Sequence, residues 1–174
     1  MRSNYKNILE PISIITLMGV SGCGKTIIGT TLADKLGWEF IESDNYHSLK
    51  DVRKMSNGIP LSDADRRPWL ESLHYLLTEK QADGIPVILA CSALKESYRK
   101  MLCKGLWGCE YVYLKGSYDL IWERMRQREH FMKPAMLESQ FNTLEEPEDS
   151  LIVHISLPVD QIIEKIISHF SLGK

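Results

Sequence analysis

A chain of 174 residues that is 44% hydrophobic and 25% charged is long enough to bury one core and short for two. Its formal net charge of -2, with no block of like charges, lacks the electrostatic footprint of a nucleic-acid or membrane-surface protein. No apolar run approaches the ~20 residues that cross a bilayer, and the polar stretch Met1 to Glu10 has no signal-peptide core, so a soluble, unexported, cytoplasmic chain is expected.

In chain order, residues 1–10 read as a flexible extension and 11–174 as one domain. Ile12 to Met18 is an apolar, β-branched run ending in glycines, a buried strand. Ile28, Leu32 and Leu36 recur at helical spacing from Lys25 onward, and Gly37 supplies the stop. Trp38 to Ile41 is a second strand. Ser43 to Arg67 is polar and turn-rich, with Gly58 and Pro60, and reads as a mobile or inserted segment. Asp65 to Leu77 is a helix with Pro68 in its first turn, and Asp63 and Asp65 as capping or first-turn acids. Pro86 to Ala90 (strand), Ala93 to Leu102 (helix), Tyr111 to Leu114 (strand) and Tyr118 to Gln127 (helix) continue the alternation. Leu151 to Ile155 and a helix striped with Ile162, Ile163, Ile166, Ile167 and Phe170 close it. Such alternation predicts an α/β fold in three layers, a parallel sheet covered on both faces. The cysteines Cys23, Cys91, Cys103 and Cys109 show no CxxC pair and no histidine at zinc-ligand spacing, so reduced thiols are expected.

Gly19-Val20-Ser21-Gly22-Cys23-Gly24-Lys25-Thr26 matches G-x-x-x-x-G-K-[ST] between the first strand and the first helix, the context that the motif requires. Its glycines let successive backbone N–H groups converge on phosphate oxygens, and the helix aims its positive end at the same anion. Lys25 is expected to reach the β- and γ-phosphates of ATP, and Thr26 to offer its hydroxyl to Mg2+.

The loop does not say what receives the phosphate. A guanine-reading N-K-x-D is missing, and Val87 to Ala90 leads into Cys91 and Ser92 rather than the aspartate of a typical ATPase. Asp44, just beyond the second strand, sits where an open α/β sheet binds ligands and is the candidate to orient or deprotonate an acceptor hydroxyl; a helix cap or turn residue is the alternative. His47 either hydrogen-bonds the acceptor or pins the segment after it. Lys54, Arg66, Lys95 and Arg99 are candidates to surround an anionic acceptor. Arg124 and Arg128, four apart at a helix end, are expected to approach one ligand together as a lid over the nucleotide.

Beyond the phosphate loop the chain resembles the gluconokinases, a branch of the small P-loop kinases that also includes the shikimate and adenylate kinases. The residues are Asp44 with His47, Lys54-Met55, Gly58, Pro60-Leu61, Asp63, Asp65-Arg66, Pro68-Trp69-Leu70, Cys91-Ser92-Ala93-Leu94-Lys95, Tyr98-Arg99, His130-Phe131, and Gln140-Phe141 with Thr143-Leu144-Glu145. The resemblance runs from Ile14 to the C-terminus. It implies five parallel strands in the order 2-3-1-4-5, a substrate segment at about 43–67, a mobile lid at about 124–137 that carries His130 towards the phosphates, phosphorylation of D-gluconate at its 6-hydroxyl, and a homodimer. Ser48 departs from the usual proline, Asp51 and Ser62 from the usual asparagine, and no glycine precedes His130. A shikimate or other hydroxy-acid kinase and a nucleotide-gated binding module are the rival readings.

Overall fold

The first apolar run folds as β1, Ile14–Met18, and all five of its residues are buried. A strand that alternates its side chains between two faces can be apolar throughout only if both faces are covered. The structure, a computed structural model, describes residues 11–127 and 134–173. The further strands are β2 (Glu39–Glu42), β3 (Val87–Ala90), β4 (Cys109–Lys115) and β5 (Leu151–His154). All pair in parallel, in the order β2-β3-β1-β4-β5, as the family resemblance implies.

Two cores follow from the alternation. Ile15 and Leu17 join Ile88, Val112, Leu114 and Val153 beneath α1 (Lys25–Leu36), α5 (Tyr118–Arg126), α6 (Pro134–Thr143) and α7 (Val159–Phe170). Ile14 and Met18 join Val87, Leu89 and Tyr113 beneath α3 (Asp63–Ala82) and α4 (Glu96–Leu102). Each such buried aliphatic side chain contributes about 1.5–3 kcal/mol relative to exposure. Gly37 ends α1 in the left-handed region, φ 68°, and its N–H donates to the Ala33 carbonyl. No helix among the described residues is long and apolar enough to cross a membrane.

The polar stretch from Ser43 to Arg67 is more regular than its composition suggests. It forms a 3-10 turn (Ser43–Tyr46), α2 (Leu49–Ser56) and the start of α3. Ser48 caps α2 by accepting from Asp51 N–H, and Ser62 with Asp65 forms a capping box on α3. That box starts α3 at Asp63, so Pro68 lies beyond the first turn. By contrast α4 starts later than expected, at Glu96, because Ala93 has φ 43° and is not helical. The four cysteines are free thiols, and burial pushes that of Cys91 up to about 11, as suits a packing residue.

Candidate active site

The turn between β1 and α1 is a glycine cradle. At Gly22, φ is 84°, and an added Cβ would come within 2.6 Å of Met125 Cγ, so only glycine fits between loop and α5. Lys25 folds back over the loop, its Nζ donating to the carbonyls of Gly19 (2.9 Å) and Val20 (3.1 Å). No side chain caps α1 and no acid occupies its first turn, which leaves the helix's positive end to an external anion. Thr26 Oγ1 donates to Glu42 Oε2 at 2.7 Å. Two hard oxygens side by side suit Mg2+, which takes few protein ligands beside phosphates. Loop and strand end together line a cleft of about 430 Å³ with Ser21, Gly22, Gly24, Lys25, Thr26, Ile27, Thr30, Glu42 and Asp44.

Asp44 enters this cleft from the 3-10 turn after β2 with its carboxylate 76% exposed. Beneath it, His47 stacks on Trp69 with ring centroids 4.2 Å apart, and Trp69 Nε1 donates to the Ser43 carbonyl at 2.9 Å. His47 Nε2 stands 3.9 Å from Asp44 Oδ1. Burial lowers the imidazole's pKa against the pull of Asp44, which keeps the ring neutral at pH 7. A rigid aromatic pair therefore supports the turn that presents Asp44. The β3 side is fastened too: Gly19 N–H donates to the Ser92 carbonyl, and Cys91 N–H to that of Leu17.

A family model described as an AAA domain matches residues 14–147. The mouse protein named probable gluconokinase is 46% identical over 157 residues, covering 80% of this chain and 85% of its own. The chain belongs to the gluconokinase family. Among solved structures, a sugar kinase from Janibacter sp. HTCC2649 superposes with a TM-score of 0.88 at 40% identity, covering 94% of this chain and 96% of its own. A gluconokinase from Sinorhizobium meliloti 1021 follows at 0.81 and 38%, covering 92% of each chain.

The departures from the gluconokinase pattern at Ser48, Asp51 and Ser62 all fall at helix starts: Ser48 and Ser62 are the N-caps of α2 and α3, and Asp51 lies in the first turn of α2. Ser48 Oγ donates to Asp51 Oδ2 at 2.6 Å while accepting from Asp51 N–H, so these two changes work as a pair.

The candidate cations are distributed unevenly. Lys54 donates to Asp65 Oδ2 at 2.5 Å, and this bond, with those from Ser62, holds the Asp65 carboxyl far below the usual range. Lys95 grips both oxygens of Asp63, at 2.8 and 2.9 Å, and Tyr98 also donates to Asp63. Arg66 donates to the Leu61 carbonyl (2.5 Å) and to Tyr98 Oη (3.4 Å). Arg66, Lys95 and Asp63 thus converge on Tyr98.

Arg99 does not join them. It is buried, its Nη1 donates to the carbonyls of Ala93 (3.0 Å) and Leu94 (3.3 Å), and it lines a different cavity with Glu96, Tyr111 and Glu145. Its visible work is to hold the turn at Ala93. Arg124 Nη2 donates to the Ile155 carbonyl at 2.7 Å, just beyond β5. Arg128 and His130 lie outside the described residues, as do residues 1–10. Sequence reasoning missed Glu42, whose signal was a carboxylate closing the strand just before Asp44.

Proposed function

We propose that this chain transfers the γ-phosphoryl group of ATP to the 6-hydroxyl of D-gluconate, giving 6-phospho-D-gluconate and ADP. The observation that carries the reading is the single cleft shared by Lys25, Thr26, Glu42 and the exposed carboxylate of Asp44. The names of the mouse and Sinorhizobium relatives supply the acceptor.

In this reading the N–H groups of Gly22 and of Gly24 to Thr26, with the Lys25 ammonium, hold the triphosphate. Thr26 and Glu42 would be the protein oxygens that hold Mg2+, and the ion, when bound, would supply neutralisation of phosphate charge. Asp44 orients the acceptor hydroxyl towards the γ-phosphorus and takes its proton. His47 keeps the Asp44 turn in place or contacts the acceptor. Arg66 and Lys95, grouped around Tyr98, are the best-supported partners for the acceptor's carboxylate, with Lys54 bracing them through Asp65. His130 completes the acceptor-side set, and Arg99 supports it indirectly by holding the turn at Ala93. Arg124 and Arg128 close a lid over the transferring group, a role worth roughly 10³ to 10⁵ in rate where such arginines are characterised. We further infer a single catalytic domain over residues 11–174, a cytoplasmic homodimer, and no nucleic-acid or membrane partner.

A coupled ADP-release assay tests the function against gluconate, related aldonates, shikimate and nucleoside monophosphates. The expected result is ADP release with gluconate well above the others. Release with shikimate alone supports the rival kinase, and ATP binding without turnover on any acid supports the binding module.

A further inference from the structure

One contact of the phosphate loop belongs neither to the nucleotide nor to the acceptor. Ser21 N–H donates to Gln140 Oε1 at 2.6 Å, and Gln140 Nε2 donates back to Ser21 Oγ at 3.0 Å, across 119 residues of chain. Both ends of one amide are used, so the orientation of the group is fixed by its partners. Ser21 also lines the cleft that holds Lys25 and Thr26.

We propose that Gln140 is a positioning residue for nucleotide binding, holding the phosphate loop in the shape that grips a triphosphate. Resting on the kinase reading above, the inference deepens it. The anchor is firm because α6 is sunk in the core: Met136 and Leu137 are buried, and Leu137 packs in the same cluster as Val20, Cys23 and Met125. Just past the helix, Glu145 N–H donates to the Leu94 carbonyl and Glu145 Oε2 accepts from Glu96 N–H at 2.7 Å. On the other flank, Gly22 lies against Met125 of α5. The loop is therefore held from two helices, sterically at Gly22 and by hydrogen bonds at Ser21.

The bonds matter because they act on one peptide from both sides. Lys25 takes the carbonyl of the Val20–Ser21 peptide and Gln140 takes its N–H, and the two groups of a trans peptide point in opposite directions, so the plane of that peptide is set. With this corner of the loop fixed, nucleotide binding does not have to order it. Removing the amide leaves a half-buried N–H without its acceptor and the loop free to reorganise.

The test uses the full chain with Gln140→Leu, Gln140→Asn, Ser21→Ala and the Gln140→Leu/Ser21→Ala double variant. Calorimetry with MgADP gives nucleotide affinity, steady-state kinetics gives KM for ATP and gluconate, and thermal melting reports the fold. Gln140→Leu is expected to weaken MgADP binding and raise the KM for ATP roughly 5- to 100-fold, with the KM for gluconate within about twofold and melting little changed. The double variant should be no weaker than Gln140→Leu, because the bonds lie between the two altered side chains and their loop. Should Gln140→Leu fail to fold, Gln140→Asn, whose amide is withdrawn by one methylene, gives the same reading. Wild-type MgADP affinity in the folded Gln140 variant, tighter binding, equal rises in both KM values, or strict additivity in the double variant would overturn the proposal. If the wild-type chain binds no MgADP, the kinase reading falls as well; if it binds and the variant binds equally, only the role of Gln140 falls.

Discussion

Asp44 and Asp65 both lie near a helix start, yet the groups around them give them opposite tasks. Asp65 is consumed by structure: it completes a capping box and receives Lys54. Among the described residues, the Asp44 carboxylate stands beside the His47 imidazole and lines the phosphate-loop cleft. Replacing Asp44 by Asn keeps size and removes the proposed base, so kcat should fall roughly 10²- to 10⁴-fold with MgADP affinity within about twofold, measured by turnover and calorimetry. For Asp65 the consequence is acid sensitivity. Its folded pKa is depressed, so the stabilisation from the Lys54 pair is complete above the unfolded value near 4 and is lost as pH falls below it through the folded value. Melting curves should therefore separate wild type from Lys54→Met between about pH 5 and 8 and bring them together in strong acid.

Helix ends decide much of the organisation around the site. The N-cap of α3 sets where Asp63, Asp65 and Arg66 project, and therefore where Lys54 and Lys95 find partners. Ser62→Ala removes the cap oxygen and should cost about 1 kcal/mol in denaturant unfolding, with a raised KM for the acid acceptor because Arg66 lies in the same first turns. Local rules made most elements legible. Strands β1 and β3 were evident from unbroken apolar runs, α1 from its period and its glycine stop. The short helix α2 was hidden because its eight residues are mostly polar, and only Ser48 with Asp51 announced it. Helix α6 starts at Pro134, with Met136, Leu137 and Phe141 on its buried side, a first-position proline and helical spacing that the reading of this region as lid obscured.

At the scale of the molecule, the strand order brings distant segments to one edge. The loop after β1, the turn after β2 and the turn after β3 all emerge at the carboxyl ends of neighbouring parallel strands, where such sheets bind ligands. Ligand that binds only this folded edge must stabilise the whole chain. MgADP at 100 times its Kd should add about 2.7 kcal/mol, a rise of roughly 5–10 °C in Tm for a chain of this size, and Lys25→Met should abolish most of it in a thermal-shift titration. From the sequence alone came the phosphate loop, the alternation of elements and the place of Asp44 just beyond the second strand, because each depends on residue types at short, fixed spacing. Only the tertiary structure decided that Thr26 meets Glu42, that Lys95 and Tyr98 share Asp63, that Arg99 turns to the backbone and that Gln140 holds Ser21. Those partners lie up to 119 residues apart, except for Arg99 and its own turn, and packing of the two helical layers, rather than any local preference, selects them.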